Sequence, residues 1–207
     1  KNSSHSLNTA STMPVMQALL NDFSDRIRQA SAAGTPLRIR GGGSKDFYGQ
    51  SLVGEVLDTT AYQGVLSYEP SELVITVRAG TPLAEVQAML AQKGQCLAFE
   101  PPHFTQSWGA SSVAGKGVGA TVGGMVAAGL SGPARASVGT VRDFVLGARL
   151  INGKGEHLTY GGQVMKNVAG YDVSRLLAGS MGQLGLITEV SLKVLPVAPG
   201  EATLMCA

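Results

Sequence analysis

The sequence PLRIRGGGSK (36–45) places a short predicted strand directly before three consecutive glycines, a serine and a lysine. Consecutive glycines allow neighbouring main-chain amides to turn toward one point and bind an anion. Ser44 would add a hydroxyl donor to such a nest, and Lys45 would add a positive charge. A plain glycine-rich turn explains the same residues equally well, so this segment alone does not identify a site.

Two further glycine-rich segments follow. The segment GATVGG (119–124) leads into a predicted short buried helix over 121–130. Its small side chains would form a wall against a flat ring or a pyrophosphate, although close packing of a helix on a sheet would use the same residues. The third segment (170–185) begins GYD, ends GSMGQLG and precedes a predicted strand over 185–195. Glycines at this density before a buried strand indicate unusual backbone angles or a ligand against the chain.

Two common nucleotide motifs fail on these glycines. A Walker A loop requires serine or threonine after Gly-Lys, whereas Gly117 follows Gly115-Lys116, and position 110 is alanine. A dinucleotide fingerprint can be aligned with Gly115, Gly117 and Ala120, but no predicted strand precedes it and no helix begins at the required point. The sequence therefore argues against a P-loop and against a Rossmann NAD site.

Around these segments, predicted helices and strands alternate, which is typical of an α+β or α/β fold. A helix is predicted over 14–33 with Gly34 as its stop, and Thr81-Pro82 is predicted to cap and open a second helix that ends near Gly94. Residues 105–119 are predicted to form a long loop. The other predicted elements are strands at 52–58, 64–69 and 72–78, a hairpin of 144–151 with 156–160, and a short helix at 172–178.

The composition is that of a glycine-rich globular chain: 28 of 207 residues are glycine, roughly twice the usual share, and 14% are charged. A net charge of +2 without a basic cluster gives no indication of nucleic-acid binding. No run of about 18 apolar residues is present, so no membrane span is expected. Cys96 and Cys206 match no metal-ligand or redox spacing, which predicts idle thiols, no metal site and a reducing, intracellular setting.

Three blocks in this order make the chain resemble the FAD-binding domains of the vanillyl-alcohol oxidase and p-cresol methylhydroxylase family: RIRGGGSK (38–45), GATVGGMVAAGLSG (119–132) and GYDVSRLLAGSMGQLGLITEVSLKVLP (170–196). Longer stretches, such as SYEPSELVITVRAGTPLAEVQ (67–87), narrow the resemblance to the E-subunit group of bacterial glycolate oxidases. The resemblance implies an α+β fold of two α+β subdomains with FAD extended between them. The implied division is a disordered lead-in at 1–13, a first subdomain at 14–100, a second at 101–200 and a tail at 201–207.

The resemblance also implies which residues hold the cofactor. In such domains the first glycine loop wraps the FAD pyrophosphate, and the second glycine segment lines the diphosphate and the isoalloxazine side. Gly185 and the main chain of Ile187 would lie by the adenine end. The residues so assigned to FAD are Arg40, Gly41, Gly42, Gly43, Ser44, Lys45, Thr121, Val122, Gly123, Gly124, Ala127, Gly129, Gly185 and Ile187. No catalytic residue is assigned.

Two departures from the family pattern bear on function. Many relatives attach the flavin covalently through a histidine in the first glycine loop, but Gly43-Ser44-Lys45 contains no histidine, cysteine or tyrosine, so non-covalent FAD is expected. Relatives also carry catalytic residues on a cap domain, which we expect to be absent or removed here, since the chain stops soon after Pro196. The resemblance implies a D-type flavin subunit and an iron–sulfur F-type subunit as partners, in the cytoplasm, with peripheral contact to the inner membrane only through the complex.

Several other polar or aromatic residues have competing interpretations. His103, in EPPHF (100–104), either holds the Pro-Pro turn or acts as a general base near the flavin edge. His157 is expected at the surface, and Arg142-Asp143 and Asp172-Arg175 are expected to form ion pairs or turn bonds. Lys166, Asn167 and Tyr171 are expected near the site. Trp108 is expected either to cover the cofactor or to contact a partner.

Together with the resemblance, these observations predict an FAD-dependent oxidoreductase: the FAD-binding subunit of a complex that oxidises glycolate or another 2-hydroxy acid. Two alternatives stay open. The chain could be the FAD domain of a self-sufficient flavin dehydrogenase whose cap is missing, or a structural subunit that keeps the fold without holding flavin. Retention of flavin by the purified chain separates the last alternative from the other two.

Overall fold

The computed structural model describes residues 9–48, 51, 53–104, 119–162, 171–200, 202 and 205. Within these ranges the helices are α1 (Thr9–Ala33), α2 (Leu83–Ala91), α3 (Val122–Ala128), α4 (Arg135–Val138), α5 (Val141–Phe144) and α6 (Val173–Leu176). The strands are β1 (Leu37–Arg40), β2 (Glu55–Asp58), β3 (Val65–Glu69), β4 (Val74–Arg78), β5 (Gln95–Cys96), β6 (Val145–Ile151), β7 (His157–Gly161), β8 (Leu186–Lys193) and β9 (Leu195–Pro196).

A five-stranded antiparallel sheet in the order β3-β4-β8-β6-β7 forms the centre of the fold. Strand β4 (VITVR) is rich in β-branched residues, which favour the extended backbone, and its alternate residues Ile75 and Val77 are fully buried. The predicted hairpin joins β6 and β7. Its turn is held by the Asn152 side chain, whose Oδ1 accepts hydrogen bonds from the amides of Lys154 (2.9 Å) and Glu156 (3.0 Å).

One face of this sheet is covered by the short helices. Residues of α2, α3 and α5 pack with Ile75 and Val77 and with residues of β6 and β8 in one buried cluster. Each large aliphatic side chain in such a cluster contributes roughly 1.5–3 kcal/mol relative to an exposed position. The helix residues in it include Leu83, Val86, Leu90, Val122, Met125, Val126, Val141 and Phe144.

Helix α1 covers part of the opposite face. Phe23 and Ile27 lie four positions apart, so they share one side of the helix, and both are buried. Gly34, with φ +65°, ends the helix as predicted. The hydroxyl of the buried Ser24 and Nε2 of the exposed His157 are 2.7 Å apart, which joins α1 to β7. The cluster around Phe23 and Ile27 also contains Leu57, Tyr62, Ile151 and Leu186.

The parallel pair β1–β2 lies beside the central sheet and leads into the first glycine loop. Isolated bridges join Gly43 to Gly119 and Pro82 to Thr121. These bridges bring the loop after β1 next to the start of α3, although the two segments are far apart in the sequence. The fold therefore assembles the first two glycine segments at one place.

The α+β fold is confirmed, and three details of the prediction need correction. Helix α1 begins at Thr9, so residues 9–13 are helical rather than a disordered lead-in, and Pro14 lies inside the helix. Pro82, not Thr81, is the N-cap of α2, because the Thr81 hydroxyl donates to Arg78 O (2.6 Å) and accepts from Gly64 N (2.9 Å). Elements α4, α5, β5 and β9 were not predicted.

The two-subdomain division at residue 100 stays a prediction, and the central sheet crosses it. Strands β3 and β4 precede that residue, whereas β6, β7 and β8 follow it. Most of the predicted 105–119 loop, residues 1–8 of the lead-in and most of the 201–207 tail lie outside the described residues. Among the described residues, no helix is long and apolar enough to cross a membrane.

Candidate functional site

The three glycine-rich segments meet at one narrow cleft that is open to solvent and has a volume of about 70 Å³. Small or apolar residues form its walls, and none of the described residues that line it is histidine, cysteine, tyrosine or a carboxylate. The lining residues are Ile39 and Gly41, Thr59 and Ala79, then Gly123, Gly124 and Ala127 of α3, and finally Met181, Gly182, Gly185, Leu186 and Ile187.

The start of α3 forms a wall without offering free donors. Its first amides are already used, since Val122 N donates to Thr81 O (2.9 Å) and Gly123 N to Ala79 O (2.8 Å). Gly124 N donates to the hydroxyl of Thr121, the N-cap residue, at 3.3 Å. The helix N-terminus is therefore closed to an anion, and this segment presents its bare glycine surface to the cleft.

The third glycine segment is hydrogen-bonded to the end of α3. Gly179 N donates to Val126 O (3.0 Å), and Met181 N donates to Ala127 O (2.9 Å). A side chain at Gly129 would collide with Gly179, because an added β-carbon would lie 2.8 Å from its Cα. This close approach fixes the wall formed by residues 181–187 relative to the wall formed by α3.

The first glycine loop offers the donors that α3 lacks. Two carbonyls at this loop accept main-chain hydrogen bonds from described residues. Thr59 N donates to Arg40 O (2.9 Å), and Asp46 N donates to Gly43 O (3.2 Å). Apart from the bridge between Gly43 and Gly119, the amides of Gly41–Lys45 donate no main-chain hydrogen bond to a described residue. An anionic ligand at this loop would satisfy those amides.

Lys45 adds a positive charge at the same loop. Burial lowers the pKa of its ammonium group, which lies 5.6 Å from the centre of the Phe104 ring. Phe104 in turn makes an edge contact with Phe47, at 5.3 Å between ring centres. Lys45 makes no ion pair with any described carboxylate. A phosphate group beside Lys45 would therefore gain a partly desolvated charge without breaking an existing pair.

Arg40 points away from the cleft. Successive side chains alternate between the two faces of a strand, and in β1 Ile39 lies on the cleft side, with Gly41 following it. Arg40 and Arg38 lie on the other face, where both guanidinium groups bind one carboxylate oxygen of Asp46, at 2.9 Å and 3.0 Å. In this arrangement the Arg40 side chain supports the shape of the loop rather than lining the cleft.

The residues assigned from the resemblance divide into two sets. Gly41, Gly123, Gly124, Ala127, Gly185 and Ile187 line the cleft. Arg40, Gly42, Gly43, Ser44, Lys45, Thr121, Val122 and Gly129 belong to the same segments but are not among its lining residues. The cleft is also lined by residues that the resemblance did not assign to FAD: Ile39, Thr59, Ala79, Met181, Gly182 and Leu186.

The other singled-out residues have structural contacts or lie elsewhere. His103 Nε2 and Gln87 Oε1 are 2.6 Å apart, so the imidazole is tied to α2. Asp143 caps α5 by accepting from Thr140 N at 2.8 Å, and hydrogen bonding to Thr140 lowers the pKa of its carboxyl group. Asp172 caps α6 and pairs with Arg175 at 3.1 Å. Tyr171 is almost fully exposed. The predictions for Lys166, Asn167 and Trp108 fall outside the described residues.

A second hollow of about 390 Å³ lies between α2 and β5. Its size alone does not make it a ligand site, because its polar side chains already have partners within the chain. Gln95 accepts from Tyr68 OH (2.7 Å) and donates to Pro70 O (2.8 Å). Glu100 accepts from Ala134 N (2.8 Å), and burial raises the pKa of the Cys96 thiol, which disfavours the reactive thiolate.

Comparison with known families identifies the class of protein. Residues 19–161, the greater part of the chain, match the family described as FAD binding domain. The chain therefore belongs to this family of FAD-binding domains, and FAD is its cofactor. The match includes the first glycine loop, α3 and the β6–β7 hairpin.

Known relatives narrow the similarity further. The chain is 52% identical over 180 residues to glycolate oxidase subunit GlcE of Escherichia coli K12, covering 87% of this chain and 47% of the relative. It is 30% identical over 171 residues to a D-lactate dehydrogenase of Archaeoglobus fulgidus, covering 82% of this chain and 35% of the relative. Glycolate oxidase subunit GlcD of Bacillus subtilis is 30% identical over 141 residues, covering 68% of this chain and 27% of the relative. The chain thus spans about half of the first relative and less of the others.

Solved structures agree on the fold. An alkyldihydroxyacetonephosphate synthase superposes on the chain with a TM-score of 0.61 at 22% identity, covering 86% of this chain and 30% of the other. At this identity the likeness supports the fold alone.

The cleft fits part of an extended dinucleotide. At Gly124 an added β-carbon would meet only Thr121 Oγ1, at 3.1 Å, and would otherwise stand in the cleft. Such a bare surface accepts a flat ring or a phosphate chain, and the unused loop amides and Lys45 suit a pyrophosphate. The described cleft, at about 70 Å³, is too small to enclose all of FAD, because ligand sites commonly measure about 300–1,000 Å³. An extended cofactor would therefore lie along these walls and reach beyond them.

Proposed function

We propose that the chain binds FAD without a covalent bond in the glycine cleft and serves as the FAD-binding part of an enzyme that oxidises glycolate or a related 2-hydroxy acid. The observation that carries the proposal is the meeting of three separate glycine segments at one cleft. The similarity to GlcE supports the choice of substrate class.

The walls of the cleft suggest a division of roles along the cofactor. The amides of Gly41–Lys45 and the Lys45 charge suit the pyrophosphate, whose two negative charges would favour the ammonium form of Lys45. The bare face of α3 suits a flat ring or the phosphate chain beside it. Gly185 and Ile187 are assigned to the adenine end. Bound FAD would supply the redox chemistry by accepting a hydride from the hydroxyl-bearing carbon of the substrate.

The chemistry of the described cleft walls supports non-covalent binding. A covalent flavin link requires a nucleophilic side chain beside the ring, and none of the described lining residues is histidine, cysteine or tyrosine. Lys45, the nearest basic group in the loop, is assigned to the phosphate end. Acid or heat denaturation is therefore expected to release all of the flavin into the supernatant, and flavin that stays in the precipitate would contradict non-covalent binding.

This chain is assigned binding and orientation rather than proton transfer. Oxidation of a hydroxy acid requires a base for the hydroxyl proton, and the described lining residues include no carboxylate and no imidazole. His103 is hydrogen-bonded to Gln87 and is not one of the cleft residues. We therefore place the base outside the described walls of the cleft.

The similarity to both GlcE and GlcD supports a place in a glycolate oxidase complex that includes a D-type flavin subunit. An iron–sulfur F-type subunit is proposed on the family resemblance alone. The same reasoning gives a cytoplasmic location with peripheral contact to the inner membrane through the complex. Co-purification of the chain with its native partners tests these assignments.

A second candidate is the FAD domain of a self-sufficient D-lactate dehydrogenase. The observation in its favour is 30% identity to the Archaeoglobus protein of that name. Reduction of the bound flavin distinguishes the two candidates. If the chain with its FAD is bleached by D-lactate without any partner, the second candidate holds. If bleaching by glycolate requires a D-type partner, the subunit function holds.

The visible spectrum of the purified full chain is the first experiment. The proposal predicts a flavin spectrum as isolated or after incubation with FAD, and removal of the flavin by acid. A folded chain that stays colourless after incubation with excess FAD would instead identify a structural subunit without a cofactor.

A further inference from the structure

We infer that Thr59 is the positioning residue of the first glycine loop, Gly41–Lys45. It acts through the main-chain carbonyl of Arg40, which directly precedes the loop. The inference rests on the proposed binding of FAD at this loop and assigns to Thr59 the task of aiming the loop amides.

Thr59 makes two hydrogen bonds to one acceptor. Its amide donates to Arg40 O at 2.9 Å, and its hydroxyl donates to the same oxygen at 3.1 Å. A carbonyl oxygen has two lone pairs, so one residue saturates this acceptor from two directions. The orientation of the peptide plane between Arg40 and Gly41 is thereby fixed. Since that plane carries the first amide of the loop, it sets the direction in which the loop begins.

Thr59 is itself held by the central sheet. Tyr62 N donates to Thr59 O (3.1 Å), and Gly80 N donates to Tyr62 O (2.9 Å). The Tyr62 side chain is 3% exposed, and its hydroxyl donates to Glu189 of β8 at 2.9 Å. A continuous set of contacts therefore runs from β8 through Tyr62 and Thr59 to the loop.

The other contacts that hold the loop are more exposed. Asp46 pairs with Arg38 and Arg40 at the far end, but its side chain is 38% exposed. Exposed ion pairs contribute little and weaken with salt. Thr59 is 6% exposed, so its hydroxyl bond is protected from water. Among these contacts, the hydrogen bond from the Thr59 hydroxyl to Arg40 O is the buried one, and it depends on the side chain of residue 59.

Replacement by valine isolates the hydroxyl. Thr59→Val keeps the branched shape and the amide bond, so Arg40 O still has one donor and the strand pairing persists. Only the second donor is lost, which frees the peptide plane to rotate. We expect FAD affinity to fall about fivefold to tenfold, the change that corresponds to the loss of one buried hydrogen bond.

Two further variants separate positioning from general destabilisation. Thr59→Ser restores the hydroxyl and should bind FAD within about twofold of the wild type, as expected where a hydrogen bond is retained. Thr81→Val removes a comparable buried hydroxyl, which donates to Arg78 O and accepts from Gly64 N. The variant keeps the main-chain carbonyl of Thr81, which accepts from Val122 N of α3, and makes no change at the loop. This control should lose stability while its FAD affinity stays unchanged.

The experiment measures FAD affinity by quenching of flavin fluorescence on the full-length chain. It also measures, without FAD, hydrogen exchange in the segment that holds the loop: the Thr59 and Asp46 amides, which donate to Arg40 O and Gly43 O. Faster exchange of this segment in Thr59→Val, but not in Thr81→Val, together with weaker FAD binding, supports the inference. Wild-type exchange rates in Thr59→Val, or an equal loss of affinity in Thr81→Val, overturns it. If the wild type shows no FAD binding, the proposed function fails, whereas the exchange rates still decide whether Thr59 holds the loop.

Discussion

Replacing Gly124 by alanine should change FAD affinity much more than it changes the stability of the fold. Gly124 lies in α3, has a negative φ and lines the cleft. Alanine is favoured over glycine within a helix by roughly 0.5–1 kcal/mol. The new methyl group meets only Thr121 Oγ1, at 3.1 Å, which must yield by a few tenths of an ångström. The free energy of unfolding of the FAD-free chain should therefore change by no more than about 1 kcal/mol.

Cofactor binding should change much more. A flat group that lies on the glycine surface has its atoms at roughly 3.5–4.0 Å, and the methyl group occupies that layer. Displacement of the group by 0.5–1 Å costs about a quarter to a half of each dispersion contact. It also lengthens the hydrogen bonds to the loop amides. We expect FAD affinity to fall at least about tenfold, or ~1.4 kcal/mol, because several contacts are weakened together.

The assay compares Gly124→Ala with Gly153→Ala. Gly153 lies in the exposed turn between β6 and β7, where an added β-carbon meets nothing within 4 Å. Denaturant unfolding of the FAD-free chains reports stability, and fluorescence titration reports FAD affinity. The control should bind FAD like the wild type. Wild-type FAD affinity in a folded Gly124→Ala would refute the assignment of α3 as a wall of the cofactor site.

Three further predictions concern charge and packing. Lys45→Met should weaken FAD binding and remove an alkaline loss of affinity that the wild type shows below pH 10.5, since burial lowers the pKa of Lys45 and the neutral amine does not attract a pyrophosphate; FAD titrations at several pH values check both effects. Tyr62→Phe should flatten a fall in unfolding free energy between pH 10 and 12. Burial and Glu189 raise the pKa of Tyr62 to about 12 from its ordinary 10.0, so the folded state keeps the proton that the unfolded chain loses, and denaturant titrations across that window measure the difference. Gly42→Val should lower the yield of folded protein, measured by soluble expression and circular dichroism, because its β-carbon collides with the carbonyl of Gly119.

Much of the fold could be predicted because its signals are local. Gly34 stops α1, the turn over 152–155 makes the β6–β7 hairpin, and Asp172 caps α6. The elements that were missed are two to four residues long, which is too short for a hydrophobic period to show. The N-cap of α2 was assigned wrongly because Thr81 precedes a proline. Its hydroxyl instead bonds to residues brought near by the fold, including Gly64.

The candidate site was only partly predictable, for two different reasons. Thr59 and Ala79 reach the cleft through the strand pairing around them, and neither belongs to a motif that a single sequence reveals. Arg40 is different, because strand alternation already distinguishes it from Ile39 and Gly41. The resemblance assigned Arg40 to the pyrophosphate loop as part of the segment 40–45, whereas the period of the strand turns its side chain toward Asp46.

The glycines of this chain serve two requirements, and only one of them is evidence for a ligand. At Gly42 and Gly123 a side chain would strike Gly119 and Ala79, so close packing of the chain excludes it with or without a cofactor. Gly182 has a φ of +78°, which itself favours glycine. At Gly124 the one close contact of an added β-carbon is Thr121 Oγ1, at 3.1 Å, φ is helical, and helix propensity favours alanine. Gly124 also lines the cleft, so its bare surface leaves room for a group that lies against α3, and its replacement by alanine tests the site at little cost to the fold.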